Sequence, residues 1–364
     1  MMRNTKVAKL PRKIAVVTAS LIFVLAGCAS SNTQGESGND QPAAMKIGLL
    51  LPEITVLRYE EKDKPYFTAA LSSICPTCEL LYANAASDAS RQLQQAQSML
   101  TQGADVLVVG PFDAVSAASI VAAATEENVP VVSYDRLIQS PDVAFSITND
   151  YLKVGELQAT ALLTRLKELG VTPADGGILM LVGAETSPNA LNMTKGAHSV
   201  IDGTGWEILS EFATYDPVEA QDWTASQLTK FRGQIVGMYS ANDGNAGGAI
   251  SAMKAVGIDE IPPITGLDAS LAGLQSIIVG DQYMSVYNPF KALAEAAAQA
   301  AVDLANGKTP KASTEVDGIP TFRTEPIAVT VDNIMDTVIK DEFYTVSEIC
   351  TSNYADACAA AGIK

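Results

Sequence analysis

The chain has 364 residues, with 41 acidic against 24 basic side chains and a net charge of −17. So acidic a protein is no nucleic-acid binder, because phosphates need a basic patch. A single histidine, His198, and five cysteines leave little for a histidine-built metal or catalytic triad site.

The first 13 residues carry Arg3, Lys6, Lys9, Arg12 and Lys13 and no acid. Residues 14–26 (IAVVTASLIFVLA) are an apolar run. It is shorter than the ~20 residues a membrane-spanning helix needs and fits the core of a secretory signal. The run ends in Leu25-Ala26-Gly27-Cys28. Small residues before a cysteine resemble the bacterial lipobox, so residues 1–27 are expected to be a lipoprotein signal and Cys28 the lipidated N-terminus. An ordinary signal with an incidental cysteine is the bland alternative. Residues 29–44 (ASSNTQGESGNDQPAA) have no apolar periodicity; with Cys28 and residue 45 they read as a flexible tether reaching roughly 20–24 Å. Without the five leader cations, 19 basic against 41 acidic side chains leave a charge of −22. The expected place is outside the cytoplasmic membrane, on its outer face or in a periplasm, with the membrane met only through lipid.

The remaining 319 residues are long enough for two domains. Residues 46–51 (KIGLLL) read as a strand, 66–74 as the core of a helix and 79–83 as a strand. Ser87 and Asp88 offer cap oxygens to a helix with Leu93, Ala96 and Leu100 on one face. Strand 104–109, helix 114–128 behind Asp113 and strand 129–133 complete a βαβ series, hence a parallel sheet with helices on both faces. The pattern then restarts: helix 151–169, strand 177–182, helix 190–201, strand 206–212, helix 220–231, strand 235–240, helix 247–256 and strand 263–267. Two such halves predict an α/β fold of two Rossmann-like lobes. Residues 283–288 and 322–331 read as returning strands of a multi-strand hinge. The expected N-terminal lobe is 46–148 with 287–320, the C-terminal lobe 149–286 with 321–345, and 346–364 a disulfide-bearing tail.

With Cys28 lipidated, four cysteines remain in an oxidising compartment. Local pairs Cys75–Cys78 and Cys350–Cys358 are expected, out of three possible connectivities. Cys75-Pro-Thr-Cys78 also has the spacing of a thiol redox centre, but such a centre usually opens a helix, and this one follows a helix.

Ligands of an open parallel sheet bind at the carboxyl ends of its strands. Three strands here end alike: Val131-Val132-Ser133-Tyr134 runs into Asp135-Arg136, Tyr239-Ser240-Ala241 into Asn242-Asp243, and Gly266-Leu267 into Asp268. Carboxylates and amides there can pair with vicinal hydroxyls, and arginine adds a rigid fork of donors. The bland reading is that each is the N-cap of the next helix. On that reading Asp243 is the cap of the helix near residue 247, which leaves Asn242 as the ligand candidate. Arg58 and Tyr59 lie in the loop after the first strand, where Tyr59 can lay its ring on a pyranose.

Taken in order, the segments 87–103 (SDASRQLQQAQSMLTQG), 129–138 (VPVVSYDRLI), 154–159 (VGELQA), 240–250 (SANDGNAGGAI), 266–274 (GLDASLAGL), 286–289 (VYNP) and 336–343 (DTVIKDEF) resemble the sugar-binding proteins of ABC importers that have the type I periplasmic-binding fold. The resemblance implies that Arg58, Asp135, Arg136, Asn189, Asn242 and Asp268 contact a sugar. It puts Tyr59 and, less securely, Tyr215 at stacking positions, with Trp223 as the rival of Tyr215. Asn288 falls where xylose binders of the family carry lysine. It further implies a monosaccharide ligand, xylose first and another aldopentose or aldohexose next, with closure of the lobes presenting the sugar to the importer's permease subunits. The expected protein is a monomer without cofactor or metal, and not an enzyme. A sugar sensor without transport would share the cleft. A glycosidase would need Asp135 and Asp268 as an acid/base pair. A transcription regulator would need a DNA-binding helix pair where the leader and tether stand.

Overall fold

The computed structural model describes residues 44–364; the expected signal segment and Cys28 lie outside the described residues. Strand β1 (Lys46–Leu51) shows why the first lobe is layered. Ile47, Leu49 and Leu51 join one core and Leu50 another, on the opposite face of the sheet, as the two-residue repeat of a strand requires. β2 (Glu79–Asn84), β3 (Val106–Val109), β4 (Val131–Tyr134), β5 (Phe145–Asn149), β10 (Thr314–Val316) and β11 (Ile319–Thr324) extend this sheet in the order β10-β11-β5-β4-β3-β1-β2. All neighbours pair in parallel except the β10–β11 hairpin. Helices α1 (Lys64–Ile74) and α9 (Phe290–Ala305) cover one face, while α2 (Ala89–Thr101) and α3 (Ala118–Glu126) cover the other.

In the second lobe β6 (Gly177–Val182), β7 (Ile208–Ala213) and β8 (Ile235–Ser240) form a parallel sheet in the order β7-β6-β8. Its faces are covered by α4 (Tyr151–Glu168) with α5 (Pro188–Ile201), and by α6 (Pro217–Lys230) with α7 (Asp243–Ala255). Helices α4 and α5 touch backbone to backbone, because a Cβ on Gly155 or Gly196 would run into the other helix's main chain. The expected strand 263–267 pairs at two isolated points, Met238 with Ile264 and Leu267 with Val286. It leads to α8 (Leu271–Val279). β9 (Ser285–Tyr287) and β12 (Ile327–Val329) pair antiparallel as a small separate ribbon.

The residues expected at 321–345 in the C-terminal lobe divide differently. β11 pairs with β5, so 321–324 belong to the first lobe's sheet. Ile334, Val338 and Phe343 pack into the first lobe's core. The reason is β5 itself, which the sequence reading passed over: FSITN carries Ser146 and Thr148 between its apolar residues, and its edge takes β11 as partner. The tail, with α10 (Val346–Ile349) and α11 (Ala355–Ala360), buries Ile349 and Ile363 in that same core. Cys75 is bonded to Cys78 across the turn from α1 to β2, and Cys350 to Cys358 between α10 and α11. Among the described residues no helix is long and apolar enough to cross a membrane, and no group of three histidine, cysteine or acidic side chains could hold a metal.

Candidate functional site

The carboxyl ends of β1 and β4 in the first lobe and of β6, β7 and β8 in the second point into one cleft. Arg58 is its hub. It sits before a π-helical turn at Tyr59–Asp63, which aims the guanidinium inward, where it is 8% exposed. Its Nη1 lies 2.9 Å from Asp63, its Nη2 2.6 Å from Asp135, and its Nε 3.4 Å from Asp268. The rings of Tyr59 and Phe290 each lie 4.3 Å from the guanidinium carbon, a double cation–π contact. Burial opposes the charge on Arg58, but Asp135 and Asp63 outweigh it and hold the side chain firmly protonated.

Both carboxylate oxygens of Asp135 are engaged. One carboxylate oxygen accepts from Tyr59 Oη at 2.6 Å and pairs with Arg58; the other accepts from Tyr151 Oη. Tyr151 opens α4, so this contact spans the lobes. So does the bond from Asn189 Nδ2 to the Asp135 carbonyl, at 3.3 Å. Arg136 pairs with Glu53, and its Nη1 donates to the Pro111 carbonyl at 3.4 Å. Tyr59, expected as an open stacking platform, has its hydroxyl committed to Asp135 and a face taken by Arg58. Tyr215 lines the cavity between the lobes, whereas Trp223 stacks on Phe212 at 5.7 Å on the face of the second sheet that α6 and α7 cover.

Asn242, not Asp243, caps α7: its Oδ1 accepts from Asn245 N. Asn242 also lines the cavity, and its amide nitrogen is not used by the cap. Asp243 is buried instead against Gln282, Ser285 and the Ser270 amide, and burial pushes its carboxyl up to about 6. α8 is capped by Ser270, so Asp268 is no cap. Asp268 and Asp135 both hold left-handed backbone, φ +92° and +66°, a conformation that costs energy and gathers at ligand sites. Burial raises the Asp268 carboxyl to about 7, with Arg58 pulling the other way, and Asp63 to about 6.

Eight of the expected residues, Arg58, Tyr59, Asp135, Arg136, Asn189, Tyr215, Asn242 and Asp268, line one cavity. Asn288 does not. It is fully buried at the end of β9, and neither polar atom of its side chain has a partner among the described residues. The sequence reading missed Glu53, Asp63 and Tyr151. Tyr151 follows the overlooked β5, so the strand-end rule would have found it. The cavity measures about 20 Å3, room for one water, which needs roughly 10–15 Å3. A ligand larger than a water therefore enters only with parted lobes or a displaced Arg58.

The pattern of the periplasmic binding protein domain matches residues 47–309. The D-xylose-binding periplasmic protein of Escherichia coli K12 is 33% identical over 314 residues, covering 84% of this chain and 92% of that protein. The D-xylose-binding periplasmic protein of Haemophilus influenzae is 31% identical over 320 residues, with the same coverage of 84% and 92%. The fold is shared with an ABC transporter solute-binding protein from Clostridium phytofermentans with bound β-D-glucose, at a TM-score of 0.77 and 21% identity, covering 84% of this chain and 99% of that one. The family pattern over most of the chain and two relatives above 30% identity show that the chain belongs to the periplasmic binding proteins, as a non-enzymatic, extracytoplasmic sugar-binding component of an ABC importer.

Proposed function

We propose that the protein captures a monosaccharide, D-xylose first, between its two lobes and delivers it to the importer's permease subunits. It does so as a monomer, held at the outer face of the cell membrane by a lipid on Cys28. The observation that carries this reading is the convergence of Arg58, Asp135, Arg136, Asn189, Asn242 and Asp268 from both lobes on one point, together with the two D-xylose-binding relatives at 33% and 31% identity.

The chemistry is an exchange of partners. With the lobes apart, a pyranose offers vicinal hydroxyls to the groups that now satisfy one another across the cleft. Asp268 accepts from hydroxyls, while Arg58 and the free amide nitrogen of Asn242 donate. Contacts made to both lobes at once favour the closed form, since only differential contact shifts such an equilibrium. A micromolar affinity corresponds to about −8 kcal/mol. A few charge-assisted bonds at roughly 1.5–3 kcal/mol each supply it against the ordering costs.

Calorimetry of the purified protein against a panel of pentoses and hexoses tests this. D-Xylose is expected to bind most tightly. A hexose that outcompetes it moves the substrate, and no heat from any sugar removes the reading.

A further inference from the structure

A second cavity, about 390 Å3, opens beside the sugar cluster and shares Val56, Arg58, Asn242 and Asp268 with it. Its walls are of another kind. Leu57 from the first lobe and Val218 from the second line it and are 58% and 64% exposed. Phe343 and Tyr344 add aromatic surface. At Gly247 an added Cβ would meet no protein atom within 4 Å, so that wall is hollowed by the lack of a side chain. A single pyranose drawn to Arg58, Asp135 and Asp268 as the lobes part fills only part of the joined cavities; Thr55, Glu61, Gln221 and Ser251 add polar groups to the outer wall, but its apolar stretch at Leu57 and Val218 offers water few partners.

We propose that the outer cavity is a subsite for a group linked to the sugar, so that the protein also takes O-glycosides: a pyranose in the inner cluster whose linking oxygen carries a second ring or an aglycone with an apolar face. This rests on the sugar-binding reading above and deepens it. The junction of the two cavities fits an ether oxygen. Such an oxygen accepts and does not donate, and Asn242 stands at the junction with its Oδ1 committed to Asn245 N. Its amide nitrogen is the donor that remains. Asp268, also at the junction, takes the neighbouring hydroxyl.

The test is calorimetry with D-xylose, xylobiose and 4-nitrophenyl xyloside in both anomers, on the wild type and on Gly247→Leu. Leucine is a good helix former and fills the cavity from inside α7. Val218→Trp narrows the mouth from an exposed position and serves if Gly247→Leu fails to fold. At least one glycoside is expected to bind about tenfold tighter than D-xylose, since covering even a modest apolar face is enough for that. The variant is expected to remove this advantage and leave D-xylose within about threefold of the wild type. Preference for xylobiose identifies a second sugar ring, and preference for the nitrophenyl compound an aglycone. Glycosides that bind no tighter than D-xylose overturn the proposal. So does a variant that weakens D-xylose as much as the glycosides, since the outer cavity would then be the monosaccharide's own seat. No binding of D-xylose or any other sugar overturns the underlying reading, and this proposal with it.

Discussion

On the first lobe's wall of the cleft, both oxygens of Asp135 and both of Asp63 already have partners in Arg58, Tyr59, Tyr134 and Tyr151. On the opposite wall, Asp268 meets only Arg58 Nε, at 3.4 Å, among the described residues, and Asn242, which lines the cavity, has its Oδ1 engaged by the cap and its amide nitrogen left over. One wall is a closed network that holds its own geometry; the other has capacity to spare. A ligand gains most where hydrogen bonding is unused, because replacing a bond already made returns little net energy. If this cleft is the sugar site proposed above, the second wall and the hinge are expected to decide affinity, and the first wall position.

The sharpest way to break this comparison is Asp268→Ala. Loss of a charged acceptor from hydroxyls that stay buried costs about 2–4 kcal/mol, or roughly 30- to 800-fold in affinity at 1.4 kcal/mol per decade. The fold is expected to survive with no loss of melting temperature at pH 8, where the alanine removes a carboxylate that burial disfavours. An unchanged dissociation constant would take Asp268 out of the site.

A pH series tests the same residue without mutation. The folded-state values of Asp268, about 7, and of Asp63 and Asp243, about 6, lie above their usual 3.8. Groups with raised values contribute stability that is complete below the unfolded value and lost as pH rises through the folded one. The melting temperature without sugar is thus expected to fall between pH 5 and 8, and Asp268→Asn to flatten the upper part of that fall. Sugar hydroxyls donate to the ionised carboxylate, so affinity is expected to rise over the same window. A melting temperature flat from pH 5 to 8 contradicts the assignment.

Asn288 sharpens the comparison from the hinge side. Its unpartnered buried amide costs roughly 1–3 kcal/mol, so Asn288→Leu is expected to raise stability. If the amide serves the sugar in an opened cleft, affinity drops by about tenfold at the same time, some 1.4 kcal/mol. Greater stability with intact affinity would leave Asn288 outside the site. The smallest effect on binding belongs to Cys28→Ser. It is expected to free the protein from the membrane with its sugar affinity intact; an acyl mass that persists on the serine variant would defeat the lipobox reading.

Much of this was legible in the chain. Apolar runs such as KIGLLL and GILMLV at βαβ spacing announce buried parallel strands, because a sheet covered on both faces needs no polar alternation. The small residues ahead of Cys28 carry an export expectation independent of any fold. Strand-end polar residues marked Asp135, Asn242 and Asp268 because open parallel sheets bind ligands there. Periodicity is a local signal, however, and it failed where partners are remote. FSITN becomes β5 only by lying between β4 and β11, and 263–267 stops short of a full strand because its neighbours meet it at two points. Which of Asn242 and Asp243 caps α7, which of Tyr215 and Trp223 faces the cleft, and that Arg58 gathers three carboxylates far apart in sequence were settled by tertiary structure alone. Those outcomes depend on the angle at which a side chain leaves its element and on what another element places opposite. Spacing along one chain carries neither.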